Sequence, residues 1–128
     1  MPINIMTTNW KNNFEERREL VLATSSKDGK PNANVVISLG FVDGKLLIAD
    51  CLMETTINNL KNNPEVCVVS GYFKIKGAAQ IFYSGKYFDL CVAKSAAEGP
   101  DKVKSAILVE IYNIFDLDKA VIINDTGI

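Results

Sequence analysis

Histidine is absent from this 128-residue chain. Its absence removes the usual general base, the usual partner of a serine or cysteine nucleophile, and the commonest nitrogen ligand for zinc, iron or haem. Chemistry must then run on carboxylates, lysines and hydroxyls, or be carried by an organic cofactor. The cofactor is favoured, because it brings the difficult steps while the protein binds and orients. Cysteine is scarce: Cys51, Cys67 and Cys91 are odd in number and widely spaced. They suggest neither a disulfide framework nor a metal site, and read as buried thiols. No apolar run approaches the roughly 20 residues of a membrane span. The opening MPINIMTTNWKNNFEERREL lacks the basic-then-apolar order of a signal peptide, so a cytoplasmic protein without a membrane partner is expected. There is no dense Lys/Arg run, and with a formal net charge of −1 nothing points to nucleic acid.

What is present is an ordinary globular composition, 48% apolar and 23% charged, in a length that fits one domain over residues 1–128. Trp10 and Phe14, spaced i, i+4 among charged residues, predict a helix over Asn9 to Glu19. Leu20 to Ser25 reads as a strand, followed by the turn Lys27-Asp28-Gly29-Lys30. Ala33 to Val42 is a second strand, joined by a hairpin turn at Asp43-Gly44 to a third, Lys45 to Ala49. After a helix over Thr55 to Asn62, stopped by Asn63-Pro64, come strands at Val66 to Ser70 and Phe73 to Tyr83, with Gly77 as a bend or bulge. A second amphipathic helix is expected over Gly85 to Ala97, broken by Glu98-Gly99-Pro100-Asp101. The last long strand is Ala106 to Asp116, and Ala120 to Ile123 adds an edge piece. Six strands in so short a chain close most economically into a small barrel that removes its own edges. Val35 to Phe41 and Ile107 to Phe115 carry more apolar residues than one small interior needs. The excess suggests a homodimer.

The stretch ADCLMETTINNLKNNPEV, Ala49 to Val66, delivers a strand into a helix N-terminus with hydroxyl side chains in its first turn. That arrangement suits an anion such as a phosphate, although threonines there also simply cap helices. Glu54, in the same turn, would oppose a dianion. Asp50 reads equally as a cap or turn residue, and Cys51 and Met53 as packing residues. Lys74 and Lys76 share one face of their strand, which reads as a solvated face or a contact with ligand or subunit.

The order of these pieces, DGKP turn, NVV strand, DG hairpin, LLIAD, a Met-x-x-Thr helix start, NNLKNNPEV and then IKGAAQIFYSG, resembles the pyridoxamine 5′-phosphate oxidase-related, FMN-binding split-barrel proteins. The resemblance runs from about Leu20 to Phe115 and is strongest to the small members of that family. It implies a mainly β fold, a six-stranded antiparallel split barrel with flanking helices, and a homodimer with one FMN in each of two interfacial clefts. By position it implies that Asn34, Val35 and Val36 lie along the flavin and that Ala49 and Asp50 flank it. Thr55 and Thr56 would sit at the phosphate, and Tyr72 would reach the flavin of the other subunit.

The chain departs from the family where arginine or lysine usually stands at the positions of Thr55 or Thr56, and often arginine at that of Asn34. Each neutral residue replaces a charge-assisted bond with a weaker one. The closing DLDKAVIINDTGI also lacks the basic character from which family oxidases build part of their substrate phosphate site. True pyridoxamine 5′-phosphate oxidase activity is therefore not expected. Two classes remain: a flavin-dependent oxidoreductase acting on a small molecule with an electron donor, or a non-enzymatic FMN carrier or cofactor-free dimeric module. No catalytic residue is assigned.

Overall fold

The computed structural model describes residues 9–95 and 102–123. Its strands are β1 (Glu19–Ser25), β2 (Pro31–Val42), β3 (Lys45–Asp50), β4 (Glu65–Ser70), β5 (Phe73–Phe82), β6 (Ser105–Asp116) and the short β7 (Val121–Ile122). Two α-helices, α1 (Glu54–Asn62) and α2 (Lys86–Lys94), and a 3₁₀ helix over Asn9–Phe14 complete it. The strands pair in the order β3-β2-β1-β4-β5-β6-β7, and an additional antiparallel β3–β6 pairing closes the first six into a barrel. The expected mainly β split-barrel architecture is thus present, with β7 appended to β6 as an edge.

Local chemistry explains the connections. Asp43 and Gly44 have φ of 55° and 76°, the paired positive dihedrals of a type I′ hairpin, whose twist matches the strands it joins. The β1–β2 turn is held by Ser26, whose hydroxyl accepts the Lys30 N–H at 2.9 Å. Between β5 and β6 the register shifts at Lys76/Gly77, with Lys76 opposite Asn113 and Gly77 opposite Ile111. Tyr112 is the extra residue of that bulge. A Cβ at Gly77 would lie 1.9 Å from the Glu110 carbonyl oxygen, so only glycine lets the strands approach this closely.

The barrel interior is filled by Leu20, Leu22, Leu46, Ile48, Val68, Ile75, Ile107 and Ile114, all essentially inaccessible to solvent. Trp10 and Phe14, both fully buried, pack against the same core, with Trp10 edge-on to Phe41 at 5.8 Å. The predicted helix over Asn9 to Glu19 is shorter than expected, a 3₁₀ helix ending at Phe14. The Phe14 carbonyl accepts the Ser38 hydroxyl at 2.7 Å and the Arg17 N–H donates to the Ser38 carbonyl at 2.8 Å, so β2 takes the groups a longer helix would use.

A second cluster lies outside the barrel, where α2 lays Phe88, Leu90 and Val92 over Leu39, Leu47, Ala106 and Leu108. Leu46, Leu47 and Ile48 are consecutive and all buried because β3 has the interior on one face and this cluster on the other. Part of the apolar excess in the strands is therefore covered by the chain's own helix. Val21, Val35 and Ile37 remain exposed on the outer face of β1 and β2, with Val21 directly opposite Val35. Helix α2 is bounded by Gly85 and Ser95; Ala96, Ala97 and the expected break at residues 98–101 lie outside the described residues. Among the described residues no helix is long and apolar enough to cross a membrane.

Candidate functional site

The end of β3 turns into α1 through a buried carboxylate. Asp50 accepts the Met53 N–H on Oδ1 at 2.9 Å and the Ser105 hydroxyl on Oδ2 at 2.8 Å, while its carbonyl accepts the Lys104 N–H at 2.8 Å. It thereby ties three segments, β3, the approach to α1 and the start of β6. Met53 occupies the N-cap of α1 and places no side chain on the first-turn N–H groups. Those groups therefore retain their capacity to bind an anion, together with the positive end of the helix dipole.

The first turn of α1 is fastened to β2 by Thr56. Its hydroxyl, fully buried, donates to Asn34 Oδ1. Asn32 Nδ2 joins them, donating to Asn34 Oδ1 at 3.0 Å and Thr56 Oγ1 at 3.2 Å. A further bond, from Asn59 Nδ2 to Thr24 Oγ1 at 3.0 Å, seats the helix on β1. Thr55, one residue before Thr56, is exposed. The Thr55 hydroxyl in this turn and the Asn34 NH2 on the facing β2 are not occupied by this network.

Beside the N-cap opens a cleft of about 340 Å³, between the middle of β2 and the segment that links β3 to α1. Val35, Val36, Ala49 and Leu52 form its apolar wall, and Met53 lines the end next to α1. At the other end stand Arg17, Glu16 and Lys94, the last two bonded at 2.8 Å. The hydrogen bond from Lys94 holds the Glu16 carboxyl below its usual range. Thus Val35, Val36 and Ala49 come together in one cavity. Asn34, Asp50, Thr55 and Thr56 lie behind or beside it and do not line it.

Tyr72 is elsewhere: 69% exposed, in the β4–β5 turn, with its carbonyl accepting the Leu117 N–H at 2.7 Å. Lys74 sits 4.9 Å from the centre of the Phe115 ring, a cation–π contact, and Lys76 is exposed. No cysteine is in a disulfide, and among the described residues no group of acidic, cysteine or histidine side chains could hold a metal ion. Burial pushes the Cys91 thiol up to about 12, with Cys51 adding to the shift. Cys91 should therefore resist iodoacetamide at pH 8 in the folded protein and react once urea unfolds it; equal reactivity in both states would contradict its placement under α2.

Arg17, Leu52 and Lys94 also line the cleft, and no local pattern in the sequence marks them. Arg17 falls in the charged run EERRE, which looks like solvated surface, and only its pairing with Ser38 brings it to the cleft.

The sequence profile of the pyridoxamine 5′-phosphate oxidase family matches residues 6–112, and the chain belongs to that family. An uncharacterised protein of Methanocaldococcus jannaschii, MJ0282, is 32% identical over 111 residues, covering 80% of this chain and 74% of its own. Among solved structures, HupZ of Group A Streptococcus superposes with a TM-score of 0.77 at 17% identity, over 92% of this chain and 96% of that one. An FMN-binding protein of Syntrophomonas wolfei does so with a TM-score of 0.67 at 15% identity, over 88% and 89%. At such identities these structures bear on the fold.

Proposed function

We propose that this protein binds FMN in the cleft between β2 and α1 and acts, as a homodimer, as a flavin-dependent oxidoreductase on a small substrate. The observation that carries the reading is one continuous feature: an apolar wall of Val35, Val36 and Ala49 running to the N-terminus of α1, which no side chain caps. A flat ring system suits the wall, and a phosphate suits the helix N-terminus. At about 340 Å³ the cleft is at the small end of ligand sites, consistent with a flavin that a second subunit completes. Family membership and the likeness to a protein described as FMN-binding support the same assignment.

FMN, when bound, supplies reversible electron transfer that no side chain here provides. The chain's own residues do the positioning. Asp50 fixes the angle at which α1 meets β3, and the Asn32–Asn34–Thr56 network holds the phosphate end of the cleft against β2. The Thr55 hydroxyl and first-turn N–H groups would hold the phosphate, with Glu54 reducing the affinity by charge repulsion.

Titration of flavin-stripped protein with FMN tests this site. Thr55→Lys should tighten binding by ~1 kcal/mol, because a charge-assisted bond replaces a neutral one. An affinity unchanged by Thr55→Lys and equally unchanged by Glu54→Gln would place the phosphate away from this helix.

The exposed strip Val21, Val35 and Ile37, and the 69% exposed Tyr72, support the dimer. Sedimentation at micromolar concentration should return about twice the 14.1 kDa chain mass. Val21→Asp should shift it toward the monomer; a wild-type monomer would leave Tyr72 no flavin to reach.

A further inference from the structure

Arg17 combines three properties that nothing in the flavin reading uses. It lines the cleft, its φ is 80°, and among the described residues it makes no salt bridge. A non-glycine residue rarely adopts that conformation, and it persists only where the surroundings enforce it.

Here they do. Ser38, fully buried in β2, accepts the Arg17 N–H on its carbonyl and donates its own N–H to the Arg18 carbonyl, each at 2.8 Å. Its hydroxyl donates to the Phe14 carbonyl at 2.7 Å and accepts the Gly40 N–H at 2.9 Å. Four hydrogen bonds centred on one serine thus fix the backbone that carries Arg17, at the irregularity where the β2–β3 register shifts between Ser38 and Phe41.

The neighbouring side-chain charges leave this end of the cleft positive, offset in part by the C-terminal carbonyls of α2 at Lys94 and Ser95. Lys94 and Arg17 stand there against the single carboxylate of Glu16, which Lys94 already engages at 2.8 Å. Ser95, at the C-terminal end of α2, adds a hydroxyl to the same rim. The two ends of the cleft therefore differ: beside Met53 the α1 N–H groups face an anion with the carboxylates of Asp50 and Glu54 close by, whereas the Arg17–Lys94 rim carries an excess of positive side-chain charge. A guanidinium offers paired donors in a planar fork that matches carboxylate and phosphate oxygens.

We propose that the Arg17–Lys94 end of the cleft is a subsite for the anionic group, carboxylate or phosphate, of a small substrate whose apolar body lies against Ile37 and Leu39, the lining residues on either side of Ser38, leaving the wall of Val35, Val36 and Ala49 to the flavin. This rests on the flavin reading only in giving the α1 end to the FMN phosphate, so that the Arg17 end receives a different molecule.

The test is calorimetric titration of the protein, flavin-loaded and flavin-stripped, with 2-naphthoate, 2-naphthyl phosphate and the neutral 2-naphthamide. At least one anionic probe should bind at least about tenfold more tightly than the amide, and the stronger of the two identifies the preferred group. Arg17→Leu should weaken that probe about tenfold and Lys94→Met by a smaller factor, with neither changing FMN affinity more than about twofold. Because the Arg17 side chain is exposed, Arg17→Leu should melt with the wild type, whereas Lys94→Met also loses the half-buried ion pair to Glu16; Arg17→Lys should restore part of the binding.

The subsite is overturned if acid and amide bind alike, if no probe binds, or if Arg17→Leu leaves the anionic probe unaffected. It is also overturned if Arg17→Leu weakens FMN but not riboflavin, since the anion at this end would then be the flavin's own phosphate. Arg17-dependent binding of the anionic probe to protein that ignores FMN would sustain the subsite and refute the flavin reading.

Discussion

Gly77→Ala is expected to destabilise the protein by about 3 kcal/mol, the upper end of overpacking costs, because the obstacle is backbone. The added Cβ would lie 1.9 Å from the Glu110 carbonyl oxygen and 3.3 Å from the Ile111 Cα, and neither can turn aside as a side chain would. Relief requires β5 and β6 to separate along the longest pairing in the barrel, which runs from Phe73↔Asp116 to Phe82↔Ala106. Gly29→Ala is the control: its φ of 86° is unfavourable for alanine, but nothing lies within 4 Å of the new atom. It should cost about 1–2 kcal/mol through backbone conformation alone. Urea unfolding of the two variants separates the effects. Equal, small losses would mean that the strands at the Tyr112 bulge are not in close contact.

Asp50→Ala is expected to cost about 2–4 kcal/mol, since it leaves the Met53 N–H and the Ser105 hydroxyl without their acceptor at a buried site. The two bonds, 2.9 and 2.8 Å, span β3, the α1 N-cap and β6. Their loss should also loosen the end of the cleft where the phosphate is proposed to sit, so FMN affinity should fall with stability. Asp50→Asn keeps an oxygen for the Met53 N–H, and the Ser105 hydroxyl can rotate to accept from the new amide. It should retain most of both properties. Full stability in Asp50→Ala would show that the turn is held by the Lys104–Asp50 backbone bond without the carboxylate.

How much of this was legible in the sequence follows from the range of the interactions. The strand over Leu20 to Ser25, the Asp43-Gly44 hairpin and the Asn63-Pro64 stop rest on signals that act over a few residues, and each stands where expected. Gly77 inside an alternating strand points to a bend or bulge, and the bulge is there. The helix expected over 9–19 stops at Phe14, because periodicity at Trp10 and Phe14 does not reveal that Ser38, far along the chain, takes the Phe14 carbonyl and the Arg17 N–H.

The candidate site divides in the same way. Family resemblance points to Val35, Val36 and Ala49, and these three share a cleft. The resemblance could not say that Thr56 and Asn34 would bond to one another, nor that Asp50 would be occupied by Met53 and Ser105. Arg17 and Lys94 were invisible because a charged run and a helix end meet only in the closed barrel, through the strained corner at Ser38 and the packing of α2.

The assignment of the cleft is tested most directly by following backbone amide resonances of ¹⁵N-labelled, flavin-stripped protein as FMN is added, alongside quenching of flavin fluorescence. Saturable quenching should accompany the largest shifts at Val35, Val36, Ala49, Leu52, Met53 and the first turn of α1, residues that line the cleft or start the helix beside it. Absence of binding at millimolar FMN, or shifts confined to the separate groove lined by Ala23, Cys67 and Lys76, would contradict it.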